Sequence, residues 1–386
     1  MAWFRTGGGG IPSSLKSDMN DVFNKKFGTV LQDYPPEDWP GTVNLMGPLP
    51  EKTVSGSVVA FSDGADDVPL KSCAVTIAPT LDGVSSVDVV SAGKNLCPIP
   101  TSETIGNVTF TVNTDGSISV SGTNDGSRII YYMASNVLFK AGNYVLSGCP
   151  SGGGSQTWEL EIYPSGTSTY YRDYGSGKAL TLTEDTLMSF AFVVRANQTT
   201  NFTIYPMLEV GSTATAYAPY VQPTTHTANL GRTIYGGSVD VENGTGTDEY
   251  IFDLWDGTQN YNVSDNLTNV FRIYMAHAKP LPDPTAVQCI CEGYTFPRAG
   301  WSSDTVSFYS DDNNFALKLP KTEVTTLAEA KAWLAEHNVY FLYATTPEDF
   351  TFTPVSIISR LGDNTMWGDG DLSVTYRRDI DLALAQ

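Results

Sequence analysis

The feature that most constrains this chain is a long stretch, residues 95–220, in which apolar and small polar residues alternate. Segments 108–112 (VTFTV) and 143–147 (NYVLS) show this two-residue period, which is typical of half-buried strands. Gly, Asn, Asp and Ser separate the segments at the places where turns are needed. Because each such strand buries only one face, a second sheet must cover that face, and the stretch predicts a β-sandwich.

The composition of the chain, above all its net charge, limits which kinds of partner we expect it to bind. The 386 residues are enough for two or three domains, and the formal net charge is −20, from 22 Lys and Arg against 42 Asp and Glu. Such an acidic surface repels phosphate backbones, so we expect no nucleic-acid partner. The three His residues lie far apart and no cysteine pair has a zinc-site neighbour, so we expect neither a metal nor a cofactor.

The cysteines and the first residues bear on where the protein works. Five Cys at irregular spacing do not suggest a disulfide framework, and we interpret them as reduced thiols. Residues 1–5 (MAWFR) resemble no signal peptide, and no apolar run approaches the ~20 residues of a membrane helix. We therefore expect a chain that is made in a cytoplasm, has no membrane partner, and leaves the cell by lysis or as part of a particle.

A short amphipathic helix is predicted over residues 12–27, between a glycine run and a proline-rich linker. Its apolar stripe consists of Leu15, Met19, Val22 and Phe23, at helical spacing. A helix of ~14 residues is marginal alone in water, so it must pack on another surface. Its own domain and a partner subunit are equally open as that surface, and segment 1–50 is a candidate for attachment.

Outside the sandwich the chain again predicts strands, with a second helix near its end. The expected strands cover residues 54–61, 72–78, 271–275, 286–291, 305–309, 339–343, 354–358 and 372–376. Residues 226–253, which include the run 232–241 (RTIYGGSVDV), predict a hairpin. The helix is expected over residues 326–338, where Thr326 and Glu329 have the spacing of a capping box.

Several stretches together resemble tail and baseplate proteins of phages and prophages of Gram-positive bacteria. They are residues 61–72 (FSDGADDVPLKS), 93–96 (GKNL), 207–220 (MLEVGSTATAYAPY), 234–241 (IYGGSVDV) and 361–369 (LGDNTMWGD). Each motif is short, but their order along the chain matches the family, and together they span most of residues 54–380.

The resemblance implies a fold and a set of partners. The fold would be mainly β, with a β-rich platform made of residues 54–92 and 221–386 and an inserted jelly-roll-like sandwich, residues 93–220, that resembles carbohydrate-binding modules. The protein would be a virion structural component on the tail or baseplate. Its partners would be other tail proteins, sister subunits in a homo-oligomer (a trimer or hexamer), and a host cell-wall glycan used for host attachment. The family supplies no catalytic residues.

One aromatic cluster is the candidate glycan site. Sugars stack on aromatic faces and need a few polar anchors, and the cluster combines both. It consists of Trp158, Tyr163, Tyr170, Tyr171, Arg172, Asp173 and Tyr174. Strand parity limits this prediction, because Trp158 shares its face with two apolar residues, and Tyr170 and Tyr171 must point to opposite faces.

Two other functions compete with glycan binding. The sandwich could be a spacer or decoration that binds no sugar. A depolymerase would need two carboxylates ~5–10 Å apart across a cleft. The acidic residues that stand out, such as Asp63, Asp369 and Asp371, are scattered in turns, so we expect no enzyme.

Overall fold

The computed structural model describes residues 51–64, 68–279, 281–291 and 294–378. The predicted helix of residues 12–27, with the apolar stripe Leu15, Met19, Val22 and Phe23, lies outside this part of the chain, so its role as an attachment segment stays a prediction. The described residues form 27 strands and one helix, and every ladder between named strands is antiparallel.

The strands fall into three consecutive groups. Before the sandwich lie β1 (Glu51–Asp63), β2 (Val68–Pro69), β3 (Ser72–Ile77) and β4 (Val84–Gly93). The sandwich contains β5 (Glu103–Ile105), β6 (Val108–Val112), β7 (Ile118–Asn124), β8 (Ile129–Phe139), β9 (Gly142–Ser147), β10 (Trp158–Pro164), β11 (Tyr171–Asp173), β12 (Lys178–Leu182), β13 (Thr186–Val194), β14 (Gln198–Ile204) and β15 (Met207–Val210).

The third group returns to the platform. It contains β16 (Thr224–Ile234), β17 (Gly237–Asp240), β18 (Thr245–Trp255), β19 (Asn262–Ser264), β20 (Val270–Ala276), β21 (Gln288–Cys291), β22 (Tyr294–Thr295), β23 (Ser307–Ser310), β24 (Asn314–Pro320), the helix α1 (Leu327–His337), β25 (Val339–Thr351), β26 (Ile358–Ser359) and β27 (Gly362–Arg377). The fold class is therefore mainly β, as predicted.

A ten-stranded sheet joins the two ends of the described chain. Its order is β16-β4-β27-β3-β17-β18-β25-β21-β22, and β1 pairs with β27 beside this path. Strand β27 is long enough to pair with β4 through its first half and with β3 through its second half. Segments that are far apart in sequence thus share one sheet.

The insert has a hydrophobic core of its own, which we call the sandwich core. Its fully buried members all lie between Ala92 and Leu208. Three antiparallel sheets surround it, in the orders β11-β10-β13-β8, β12-β9-β15 and β14-β7-β6-β5. Alternation along β6 buries Val108 and Phe110, which follows from the two-residue period of that segment.

The platform contains two further cores rather than one. The main-sheet core collects buried residues of β1, β3, β4, β16, β17 and β27. The helix-side core lies where α1 and the four-stranded sheet β19-β20-β24-β23 meet β18, β21 and β25. Cys289 and Cys291 both point into this core, as their spacing predicts, and all five cysteines are buried free thiols. The domain boundaries drawn from the sequence stay predictions.

Asn95 joins the start of the insert to its end. Its buried side-chain amide donates to the carbonyl oxygens of Pro206 and Ala218, each at 3.0 Å. The backbone of Asn95 also bridges Tyr220 in a parallel sense. Entry and exit of the insert are therefore adjacent, which is what insertion of one unit into another requires.

Most of the strands predicted for the platform and the predicted helix are confirmed, the predicted hairpin is confirmed in part, and one predicted strand is wrong. The predicted hairpin of residues 226–253 is confirmed in part, because β17 and β18 are consecutive strands that pair directly with each other. Strand β16 is not part of it, because β16 pairs with β4 while the other edge of β17 pairs with β3. Gly237 lies at φ 132°, and a Cβ there would be 2.0 Å from the Thr247 carbonyl oxygen, so this glycine serves a close strand approach instead of a hairpin turn. The strand expected at 354–358 is wrong, because residues 354–357 form no strand and Ile358 is the first residue of the short strand β26. Helix α1 begins after Thr326 with the predicted capping box.

Candidate functional site

The outer face of the sheet β11-β10-β13-β8, which points away from the sandwich core, carries charged side chains, and some of these are buried. Along β10, Leu160 and Ile162 point into the sandwich core, so Glu159 and Glu161 point to the opposite face. Trp158 lies on the inner side, half-buried, with its ring centroid 4.8 Å from that of Phe202. The period of this one strand therefore separates the predicted site residues into two sets.

Two carboxylates are buried on the outer face. Glu159 is 0% and Glu161 is 1% exposed. The Nε atom of Arg172 lies 3.3 Å from Glu161 Oε2 and 3.5 Å from Glu159 Oε2, and the guanidinium of Arg195 pairs with the other oxygen of Glu159. Burial raises the pKa of the Glu161 carboxyl, while the hydrogen bond from Arg172 opposes that shift. Two guanidinium groups thus balance two buried carboxylates.

Tyrosine side chains surround these ion pairs. The guanidinium carbon of Arg172 lies 4.6 Å from the centre of the Tyr170 ring, and the Tyr163 and Tyr170 rings are 4.9 Å apart. Tyr132 is 57% exposed and Tyr174 is 39% exposed, so this group retains rings that face solvent. We call the set the outer-face cluster. Its members are Glu159, Glu161, Arg172, Arg195, Tyr132, Tyr163, Tyr170 and Tyr174.

Four of the seven predicted site residues lie together in the outer-face cluster, and the other three lie elsewhere. Tyr163, Tyr170, Arg172 and Tyr174 belong to the outer-face cluster. Trp158 and Tyr171 pack against the sandwich core, which agrees with the expectation that Tyr170 and Tyr171 point to opposite faces. Both are half-buried and lie on the core side of the sheet, away from the outer-face cluster.

Asp173 is the third residue that leaves the predicted site. It is 0% exposed, and its carboxylate accepts backbone N–H groups of Cys149 at 2.9 Å, Gly175 at 2.8 Å, Ser176 at 3.1 Å and Gly177 at 2.8 Å. This carboxylate organises the turn that follows β11. Because the carboxylate is fully buried, it cannot reach a sugar hydroxyl on the surface.

Sequence reasoning missed four members of the cluster. Glu159 and Glu161 follow from the parity that places Leu160 in the core, since they alternate with it along the same strand. Tyr132 follows in the same way from the alternation of β8, in which Tyr131 is buried. Arg195 lies just beyond β13. No local pattern indicates that it forms an ion pair with Glu159 of the neighbouring strand β10.

The arrangement presents phenol rings and hydroxyls beside neutralised charges. Such a surface suits an uncharged polyhydroxy ligand, because ring faces pack on C–H groups while hydroxyls and guanidinium N–H groups bond to oxygens. In the part of the chain that the structure describes, no group of three or more His, Cys, Asp or Glu side chains has metal-site geometry. No helix among the described residues is long and apolar enough to cross a membrane.

No protein-family model, curated protein or solved structure matches this chain.

Proposed function

We propose that this protein is a structural component of a phage or phage-like tail or baseplate that contacts the host surface by binding a neutral glycan on its outer-face cluster. The observation that carries glycan binding is the grouping of Tyr132, Tyr163, Tyr170 and Tyr174 around Arg172 on one sheet face, with two of these rings well exposed. The tail assignment rests on the sequence resemblance. Residues 1–50 would attach the chain to other tail proteins, and sister subunits would form a homo-oligomer.

The energetics of this proposal require many copies. A single site with two exposed rings and a few polar contacts should bind with a Kd on the order of 0.1–1 mM, which is roughly 4–5.5 kcal/mol. Several copies on one particle raise the avidity without any new contact, because each later binding event is intramolecular. A tail protein present in several copies would therefore suit a weak site.

The second candidate function is a spacer that binds no sugar, and one observation favours it. The charged groups of the outer-face cluster pair largely with one another, since Arg172 contacts both carboxylates and Arg195 contacts Glu159, and only Glu159 Oε2 and Arg195 Nε among these groups are buried without a hydrogen bond. A surface built for sugars would leave more of these donors free. The same pairing argues against a depolymerase, because each carboxylate is held by a guanidinium group.

The test uses purified particles. Mass spectrometry of the particles should detect this chain, and its absence would contradict the tail assignment. A cell-wall polysaccharide array probed with a multivalent form of the protein should show binding that Tyr170→Ala weakens by about tenfold, a loss of roughly 1.4 kcal/mol per site. Tyr205→Ala is the matched control, since Tyr205 is 44% exposed but lies outside the outer-face cluster. A wild-type protein that binds no polysaccharide would favour the spacer.

A further inference from the structure

A second charged cluster lies on the sheet β19-β20-β24-β23 of the platform, a different sheet from the one that carries the outer-face cluster. One face of this sheet supplies Ile273, Leu317 and Phe308 to the helix-side core. On its other face Arg272 and Lys318 are direct cross-strand partners. Arg272 is 1% exposed and Lys318 is 0% exposed, and they are the two fully buried cationic side chains of the described residues.

Neutral oxygens are the acceptors around both cations. Arg272 donates to the Trp301 carbonyl at 2.6 Å, to Ser264 Oγ at 2.6 Å and to Asn266 Oδ1 at 3.0 Å. Lys318 Nζ donates to the carbonyl of Gly300. The Nε atom of Arg272 is buried without a hydrogen-bond partner. An ammonium group has three donors, so Lys318 also retains donor capacity.

No carboxylate within the described ranges forms an ion pair with Arg272 or Lys318. This differs from the outer-face cluster, where every buried carboxylate has a guanidinium partner. Burial lowers the pKa of Lys318, and the neighbouring charge of Arg272 lowers it further. Two adjacent like charges removed from water are costly unless an opposite charge compensates them.

Aromatic rings form the cover of this cation pair. The Trp301 ring lies 3.9 Å from the guanidinium carbon of Arg272. Tyr274 and Tyr309 each meet the Trp301 ring edge-on, with centroids 5.3 Å apart in both pairs. Trp301 is half-buried and its neighbour Gly300 is exposed, so the two cations lie one layer of residues below solvent.

We infer that Arg272 and Lys318 form a binding site for one oxyanion, a phosphate, sulfate or carboxylate group, ligated by Arg272 Nε and Lys318 Nζ beneath Trp301. The geometry supplies two cations that are cross-strand partners and donate to the carbonyls of successive residues, an unpartnered Nε–H donor on Arg272, and no ion-paired carboxylate within the described ranges, in a chain that otherwise carries excess acid. Guanidinium and ammonium groups form their strongest hydrogen bonds with oxyanions. This inference is independent of glycan binding at the outer-face cluster.

The oxyanion could be free in solution or could belong to a sugar, whose ring would meet the three aromatic side chains. The experiment distinguishes these sources with three titrants: inorganic phosphate, a hexose phosphate and a hexuronic acid. If the hexose phosphate or the hexuronic acid binds more tightly than inorganic phosphate and Trp301→Ala removes that preference, the site takes an anionic sugar. Equal affinities would identify a site for the free oxyanion.

The measurement is calorimetric titration of the full chain up to 10 mM titrant (roughly the upper end of weak site-specific binding) at constant ionic strength, together with thermal unfolding. We expect saturable binding and a rise in Tm of about 3–5 °C at a tenfold excess over Kd. Lys318→Met should weaken binding by about tenfold or more. Lys321→Met is the matched control and should bind as wild type does, because Lys321 pairs with Asp265 near the same sheet.

Two outcomes would overturn the site. One is the absence of saturable heat with all three titrants on the wild-type chain, a result that does not depend on any variant folding. The other is an equal anion dependence of Tm in wild type and Lys318→Met, which would be the general effect of an excluded salt. In either case the role of Arg272 and Lys318 would be structural: they would stabilise the loop that carries Gly300 and Trp301 by donating hydrogen bonds to its carbonyl groups.

Discussion

Asp173 shows how a single residue can look functional in sequence and be structural in the fold. In sequence it stands between Arg172 and Tyr174, among rings that suit a sugar. In the structure its carboxylate accepts three backbone N–H groups of the turn that ends with Gly177, and a fourth from Cys149, which follows β9. A buried carboxylate that accepts hydrogen bonds from several backbone N–H groups stabilises the turn. Removal of this carboxylate would leave those N–H groups without an acceptor.

We therefore predict that Asp173→Ala lowers the free energy of unfolding by about 3 kcal/mol, because several buried N–H groups lose their acceptor. Urea unfolding of the full chain measures this change. Ser176→Ala is the control, since Ser176 is exposed and keeps its backbone N–H, and it should change stability by less than about 0.5 kcal/mol. A loss for Asp173→Ala as small as that of the control would contradict the structural role.

At the scale of elements, α1 is the segment whose local signals are most complete. Its N-cap Thr326 accepts the backbone N–H of Glu329, and the Glu329 side chain accepts the N–H of Thr326 in return. Asn338 ends the helix in the left-handed region, at φ 44°. Ala330, Trp333 and Leu334 bury one side of the helix in the helix-side core. Capping and burial thus act on the same short element.

Thr326→Ala should cost about 1 kcal/mol, because the N–H of Glu329 loses its acceptor at the helix start. Chemical denaturation followed by far-ultraviolet circular dichroism measures the change. Thr322→Ala, an exposed threonine just before the helix, serves as the matched control and should be near neutral. Equal stability of the two variants would mean that water replaces the cap without loss.

At the scale of the whole molecule, the insert depends little on the platform for its core. The fully buried members of the sandwich core lie between Ala92 and Leu208, while Val58 and Trp367 of the platform pack against it from outside. Asn95 closes the insert by linking its entry to its exit. A unit with its own core and adjacent ends meets the physical conditions for independent folding.

We predict that residues 93–221 expressed alone unfold in one cooperative thermal transition, at a lower Tm than in the full chain, because Val58 and Trp367 no longer cover the core. Differential scanning calorimetry measures both transitions. Trp367→Ala in the full chain should lower the same transition, since it removes one of these contacts. A fragment without a cooperative transition would show that the boundaries at 93 and 221 are misplaced.

Local sequence determined most of the platform strands, the helix α1 and its N-terminal cap. The two-residue period of β6, the capping box of α1 and the opposite orientations of Tyr170 and Tyr171 all depend on neighbours a few residues apart, so they can be inferred without the fold. The tertiary structure alone decided which distant strands pair and what each side chain then meets. Pairing of β16 with β4, the burial of Asp173 under the turn after β11, and the meeting of Arg272 with Lys318 across two strands depend on register between segments that no local period encodes.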